Sequence, residues 1–387
     1  MTLFEKDKTY IAGTYNRFPV AIASGKGSLL TGTDGKRYVD LTSGIGVTSF
    51  GIADESWQNA ILRQIGLVQH TSNLYYTEPC ADLAELLCKK TGMKKVFFSN
   101  SGAEANECAI KAARKYAAQK HGEGCATIVT LQNSFHGRTL TTLAATGQDH
   151  YHELYQPLTP GFVSIPANGG TGPLDEIASK TGIAAVMIEC IQGEGGVLPI
   201  DAAFARSLAA WCESHDALLI VDEVQTGNGR TGKLYAYEHF GITPDIVSTA
   251  KGLAGGLPLG ATLLGEKVQD VFSFGDHGST FGGNPVCCAA ALSILSRLDE
   301  PFLADVTRKG DLLRGALAKA KGIQKITGMG LMLGLSTDRP AGDVVRDCIA
   351  RGVLCLTAKD KVRLIPALNI PDELLLKAAK VIASVTE

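Results

Sequence analysis

Between Lys95 and Leu264, short apolar and β-branched runs alternate with stretches of helical spacing. This alternation limits the possible folds more than any other feature of the chain. Lys95–Ser99 (KVFFS), Thr127–Leu131, Ala184–Cys190 (AAVMIEC), Ala217–Val221 (ALLIV), Ile246–Thr249 and Ala261–Leu264 predict strands. Ala103–Gln119 predicts a helix with Ala105, Ala109, Ala112, Ala113 and Tyr116 on one face, and Asp201–His215 predicts another. Strands joined by helices require right-handed crossovers, which give a mostly parallel sheet covered on both faces. The expected class is therefore α/β, with any ligand site beyond the carboxyl ends of the strands.

At roughly 100–200 residues per domain, 387 residues suggest two or three domains. The alternating region, residues 54–285, reads as a large domain. Residues 1–53 carry the turn signal Thr33-Asp34-Gly35-Lys36 and short hairpin-like runs. After Val286 come a long helical pattern, Ile326–Leu335, Val353–Leu356, Val362–Ile365 and a final helix from Pro371. Residues 1–53 and 286–387 together read as a smaller α+β domain built from both termini.

Composition removes several function classes. A formal net charge of −2 gives no broad electrostatic case for nucleic acid or an anionic membrane as partner. The longest apolar stretch, Val286–Leu295, falls far short of the ~20 residues that span a bilayer. Met1–Tyr10 carries Glu5 and Asp7 and lacks the apolar core of a signal peptide, so a cytoplasmic protein is expected. The ten cysteines form no C-x-x-C pair and no zinc-like spacing with histidine; reduced thiols and no metal site are expected.

Chemistry-bearing residues follow the predicted strands. Leu219-Ile220-Val221-Asp222-Glu223-Val224-Gln225 delivers a carboxylate to a strand end. Alone, Asp222 would equally suit a helix N-cap or a surface ion pair. Twenty-nine residues later, Ser248-Thr249-Ala250-Lys251-Gly252 delivers a lysine, which alone would be an ordinary loop residue. Together they match pyridoxal 5′-phosphate (PLP), which needs an amine for a Schiff base and an acid beside its ring nitrogen. Ser99-Asn100-Ser101-Gly102-Ala103-Glu104-Ala105 passes from strand to helix and offers free backbone N–H groups to a phosphate. His277–Pro285 is a second polar loop with hydroxyls to offer. In Asn133-Ser134-Phe135-His136-Gly137-Arg138-Thr139, Phe135 suits stacking on a ring and Arg138 suits a carboxylate.

Two motif matches are set aside. Gly227-Asn228-Gly229-Arg230-Thr231-Gly232 fits G-x-G-x-x-G, but it lies mid-chain and Leu234-Tyr235-Ala236-Tyr237 follows in place of a binding helix. Gly227–Lys233 also imitates the start of a P-loop, but Leu234 stands where Ser or Thr must meet magnesium.

The remaining motifs resemble, over essentially the whole chain, the class III (ω-amino acid) aminotransferases of PLP fold type I. The resemblance rests on Ser101–Ala105, Ser134–Thr139, Gln192-Gly193-Glu194-Gly195-Gly196, Asp222–Gly227 with Gly229–Gly232, and Ala250-Lys251-Gly252. It implies Lys251 as the Schiff-base lysine, Asp222 at the ring nitrogen and Gln225 at the phenolic oxygen. It implies Ser101, Gly102 and Ala103 around the phosphate, Phe135 stacked on the ring, and Arg138 on the substrate α-carboxylate. Ser279 is implied near substrate. Thr280 is implied to reach the phosphate of a second subunit, in a homodimer with shared sites. Glu194 and Arg363 resemble a switch pair that alternately masks and frees a carboxylate-binding arginine. Within the family, the compact length and Phe135-His136-Gly137-Arg138 are most similar to members that act on N2-acetyl-L-ornithine and 2-oxoglutarate. Members acting on ornithine, succinylornithine, succinyl-diaminopimelate or 4-aminobutyrate remain alternatives. The chain departs from the family at Gly51-Ile52-Ala53-Asp54-Glu55, where Gly-His-x-His/Asn-Pro is usual, and at Ala103, where Thr is common.

Overall fold

The structure, a computed structural model, describes residues Met1–Glu387. Its centre is a seven-stranded sheet. In spatial order the strands are Lys95–Ser99, Gly260–Leu264, Ile246–Thr249, Leu218–Asp222, Gly182–Ile188, Cys125–Leu131 and Phe162–Ile165. The class is α/β, as the alternation predicts. Leu218–Asp222 runs parallel to both its neighbours, and its Leu218–Val221 segment is fully buried because both faces of the sheet are covered.

One strand reverses. Gly260–Leu264 is antiparallel to both Ile246–Thr249 and Lys95–Ser99. The connection from Thr249 holds only a single 3-10 turn, Lys251–Leu253, before Gly260. A parallel return needs a crossover of a dozen or more residues, so this connection is too short for one. The strand Phe162–Ile165, which the periodicity did not reveal, closes the opposite edge.

The helix Gly102–His121 buries Ala105, Ala109, Ala112, Ala113 and Tyr116 against the sheet, the face its spacing predicts. Small side chains on that face let a twenty-residue helix lie close to the strands. Ala202–Ser214 buries Phe204, Leu208 and Trp211 in the larger core cluster. Two four-stranded sheets flank the central one. In the first, Ile22–Lys26, Leu29–Gly32 and Arg37–Asp40 are joined by Val353–Leu354, so both ends of the chain share a sheet. In the second, Ile323–Met329, Met332–Thr337, Lys361–Leu364 and Leu356–Ala358 place Arg363 beside the central sheet's carboxyl edge, where it meets Glu194 and Gln225.

The departure at Gly51 is accommodated locally. Gly51 has φ +78°, and a Cβ there would meet the Gly27 backbone at 2.7 Å. Ile52 exchanges backbone hydrogen bonds with Gly27, Asp54 caps the helix Glu55–Ile65, and its carboxylate pairs with Arg297 at 2.8 Å. All ten cysteines are free thiols, and no cluster of side chains suits a metal ion.

Ile220 is fully buried on the central strand. Ile220→Ala is expected to lower unfolding stability by about 2–5 kcal/mol, read as a shift in the urea midpoint. A loss under about 0.5 kcal/mol, the level of an ordinary surface change, would place this strand outside the core.

Candidate active site

At the carboxyl edge of the central sheet lies a cavity of about 630 Å³. Asp222, the last residue of its strand, is 4% exposed and opens onto it. Its Oδ2 accepts from Asn106 Nδ2 and His136 Nδ1, both at 2.8 Å, and its Oδ1 accepts from the Val224 N–H at 2.9 Å. Lys251 lines the same cavity and forms no ion pair with any carboxylate of the chain. Burial pushes its ammonium below the usual lysine range, opposed in part by Asp222 and Glu194.

The cavity floor is the start of the helix Gly102–His121. Ser101 caps it by accepting from the Glu104 N–H, and Glu104 returns a carboxylate to the Asn100 N–H at 2.8 Å. The Gly102 and Ala103 N–H groups find no acceptor in the chain and line the cavity. A Cβ at Gly102 would meet the Val224 side chain at 2.6 Å, so only glycine lets this helix end approach the loop after Asp222. Phe135 and Arg138 form another wall. The Arg138 guanidinium lies 4.2 Å from the Tyr151 ring centroid and 5.5 Å from that of Phe135, with no carboxylate partner.

On the remaining side, Arg363 Nη1 donates to Glu194 Oε1 at 2.6 Å and to Gln225 Oε1 at 3.2 Å. Arg363 is 3% exposed, and its Nε is buried without a partner. Burial pushes the Glu194 carboxyl up, but the Arg363 charge and hydrogen bond outweigh it and hold the group below the usual carboxylate range. A Cβ at Gly193 would meet Gln225 Oε1 at 2.2 Å, so a larger residue there would displace the Gln225 amide.

The class III aminotransferase family matches residues 10–385. The chain belongs to the class III aminotransferases. It is 50% identical over 381 residues to the acetylornithine aminotransferase of Haemophilus ducreyi, covering 98% of this chain and 97% of that one. Among solved structures, it is similar to N-acetylornithine aminotransferase from Stenotrophomonas maltophilia K279a (TM-score 0.86, 34% identity, 99% and 98% covered). It is also similar to the ornithine aminotransferase of Toxoplasma gondii ME49 (TM-score 0.93, 33% identity, 99% and 94% covered).

In this class III chain the cavity gathers Ser101, Gly102, Ala103, Phe135, Arg138, Glu194, Asp222, Gln225 and Lys251 from segments far apart in sequence. Arg363 joins through Glu194. Ser279 and Thr280 are not in it. They line a second cavity of about 460 Å³ with Thr71, Tyr76 and Phe97. Ser279 Oγ accepts from Asn100 Nδ2 at 3.1 Å, which ties its loop to the helix start. The set-aside motif is a buried turn. Asn228 and Arg230 are each 2% exposed, and Arg230 Nη1 donates to the carbonyls of Leu331 and Pro366.

Three buried polar residues went unassigned in the sequence reading. Asn106 sits four residues beyond Gly102 on the same helix, and His136 lies inside a motif already singled out. Burial pushes His136 down, but the Asp222 hydrogen bond and charge win and raise it. Glu189 follows the strand Gly182–Ile188 as Asp222 ends its own, so the same signal, an acid at the end of an apolar strand, would have found it. Its carboxylate accepts from the N–H groups of Phe135 (2.9 Å) and Gly193 (3.4 Å), and burial raises its pKa.

Next to Asp222, the fully buried Glu223 accepts from Thr226 Oγ1 at 2.5 Å and the Tyr237 N–H at 2.8 Å. Burial pushes its carboxyl from 4.5 up to about 7. The native state therefore keeps this proton between pH 4.5 and about 7, where the unfolded chain has released it. Its contribution to stability is full below pH 4.5 and is lost as pH rises through that window. Glu223→Gln should reduce the parent's loss of Tm between pH 5 and about 7.5; an unchanged pH slope would contradict the raised pKa.

Proposed function

We propose that this protein transfers the ω-amino group of N2-acetyl-L-ornithine to 2-oxoglutarate, giving N-acetyl-L-glutamate 5-semialdehyde and L-glutamate, with PLP as cofactor. The observation that carries this reading is the meeting of Lys251 and Asp222 in one cavity, above two unpaired N–H groups at a helix start. The residues fit the cofactor. The Gly102 and Ala103 N–H groups suit its phosphate, Phe135 its ring face, Asp222 its ring nitrogen and Gln225 its phenolic oxygen. When bound, PLP supplies an aldehyde that exchanges amines and a pyridinium ring that accepts electrons.

The protein's own groups then do the following. Asp222, held by Asn106 and His136, would sit at the ring nitrogen and favour its protonated form. Lys251 Nζ, with its lowered pKa, takes the proton from the donor's δ-carbon and returns one to the cofactor side. Arg138 binds the donor's α-carboxylate with its unpaired guanidinium. In the closed arrangement seen here, Glu194 covers Arg363 while the donor reacts. Release of that pair exposes Arg363 to the α-carboxylate of 2-oxoglutarate, so one pocket serves two differently shaped substrates. The donor is supported by the acetylornithine aminotransferases to which the chain is similar; Val47, on the Gly44–Thr48 segment, is a pocket wall that an acyl group would face.

We also propose a homodimer with shared sites. Ser279 and Thr280 lie outside this chain's main cavity, and Tyr76, Phe274 and Phe281 beside or near their loop are exposed. The helix Leu3–Tyr10 buries none of its residues within the chain. The proposed division is a large domain over residues 54–285 and a small one from residues 1–53 and 286–387. The absence of any helix long and apolar enough to cross a membrane fits the cytoplasmic location we propose.

Lys251→Ala should abolish transamination, and retained turnover would refute its role. Arg138→Ala should raise KM for donor and acceptor by roughly 10-fold or more, with a smaller change in kcat. A donor panel of acetylornithine, ornithine, succinylornithine and 4-aminobutyrate decides the substrate. Highest kcat/KM on ornithine or 4-aminobutyrate would overturn the acetylornithine reading.

A further inference from the structure

Lys251 sits in an unusual backbone conformation. Its φ is +47°, in the left-handed region that disfavours residues with a Cβ. The chain arrives from the strand Ile246–Thr249 and turns at once into Lys251–Leu253. A long side chain stays in such a conformation only where its surroundings fix the flanking peptide groups.

Two side chains from distant segments do this. Before the lysine, Asn228 Nδ2 donates to the Ala250 carbonyl at 3.1 Å and to Thr249 Oγ1 at 2.9 Å. After it, Ser49 Oγ donates to the Gly252 carbonyl at 3.0 Å. The fit is close, since a Cβ at Gly252 would come within 2.7 Å of Ser49 Oγ. Asn228 is itself left-handed (φ +56°), a conformation asparagine tolerates better than most residues. Its amide oxygen is buried with no partner. Leaving that oxygen unpaired is unfavourable, so the side chain is retained for its two donated bonds. An aspartate would present an oxygen to the Ala250 carbonyl and could not replace it.

We propose that Asn228 and Ser49 are positioning residues that clamp the Ala250–Lys251 peptide and, one residue beyond the lysine, the Gly252–Leu253 peptide, and thereby fix the approach of the Lys251 amine to the cofactor. The inference rests on the cofactor role of Lys251 proposed above. Asn228 lies six residues past Asp222, on the loop that also carries Gln225. One loop thus sets both the acid and the backbone that aims the amine, which ties together two groups twenty-nine residues apart.

Asn228→Gly tests this, because glycine keeps the left-handed backbone available and removes only the amide. Apoenzyme of parent and variant is mixed with PLP, and covalent capture by Lys251 is followed by visible absorbance and by borohydride trapping at that lysine. Capture is expected to slow by about fivefold or more, the pH midpoint of the absorbance to move by about half a unit, and kcat to fall about tenfold while KM for 2-oxoglutarate stays within about twofold. Ser49→Ala, which deletes one oxygen, should shift the same quantities in the same direction, and it decides the matter if Asn228→Gly yields no folded protein. A parent that captures PLP, with a folded variant whose capture rate, pH midpoint and kcat all match it, overturns the clamp, even if Tm falls. A parent that captures no PLP overturns the reading on which the clamp rests and the clamp with it.

Discussion

A carboxylate held almost out of water is the constraint on which the rest of this site depends. Asp222 is 4% exposed, and a buried charge of this kind persists only when hydrogen-bond donors replace water. Three donors do so. Asn106 comes from the long helix, His136 from the loop after Cys125–Leu131, and Val224 from the turn following Asp222 itself. Satisfying one charge therefore fixes the relative positions of a helix, a loop and a strand end. The helix start offers unpaired N–H groups, and the loop carries Phe135 and Arg138, so the same bonds that stabilise the acid also shape the cavity.

Electrostatic order extends outward from that point. His136 is buried between Asp222 and the field of Glu189, while Glu189 holds backbone N–H groups of two loops, at Phe135 and Gly193. Beyond Gly193, Glu194 is paired with Arg363 at 2.6 Å, and that arginine belongs to a different sheet. Charged and polar side chains thus extend from the central sheet to the C-terminal one, where the Glu194–Arg363 pair bridges the two. Lys251 stands apart from this chain of pairs, without a carboxylate partner and with its pKa lowered by burial, as a reactive amine requires.

Much of this was legible in one dimension. The strands Lys95–Ser99 and Ile246–Thr249 fall where the apolar runs place them, and the alanine face of Gly102–His121 is buried as its spacing indicates. Asp222 and Lys251 could be named because each follows an apolar strand, and strand ends in such sheets converge on one edge. Phe162–Ile165 escaped because it is a short edge strand with two exposed residues, which blurs its pattern. The reversal at Gly260–Leu264 escaped because strand direction is not written in hydrophobic period; it follows from the length of the connection.

The sequence by itself determined which elements form and which reactive groups they deliver, because periodicity, glycine turns and strand-end residues are local properties. Only the tertiary structure decided which of those groups meet. It surrounded Asp222 with Asn106 and His136, and held Lys251 in a left-handed turn between Asn228 and Ser49. It also placed Ser279 and Thr280 at a second cavity, outside the one that holds Lys251 and Asp222 of the same chain. Such contacts depend on how helices and sheets pack over long separations, and no short-range signal in the chain encodes that packing.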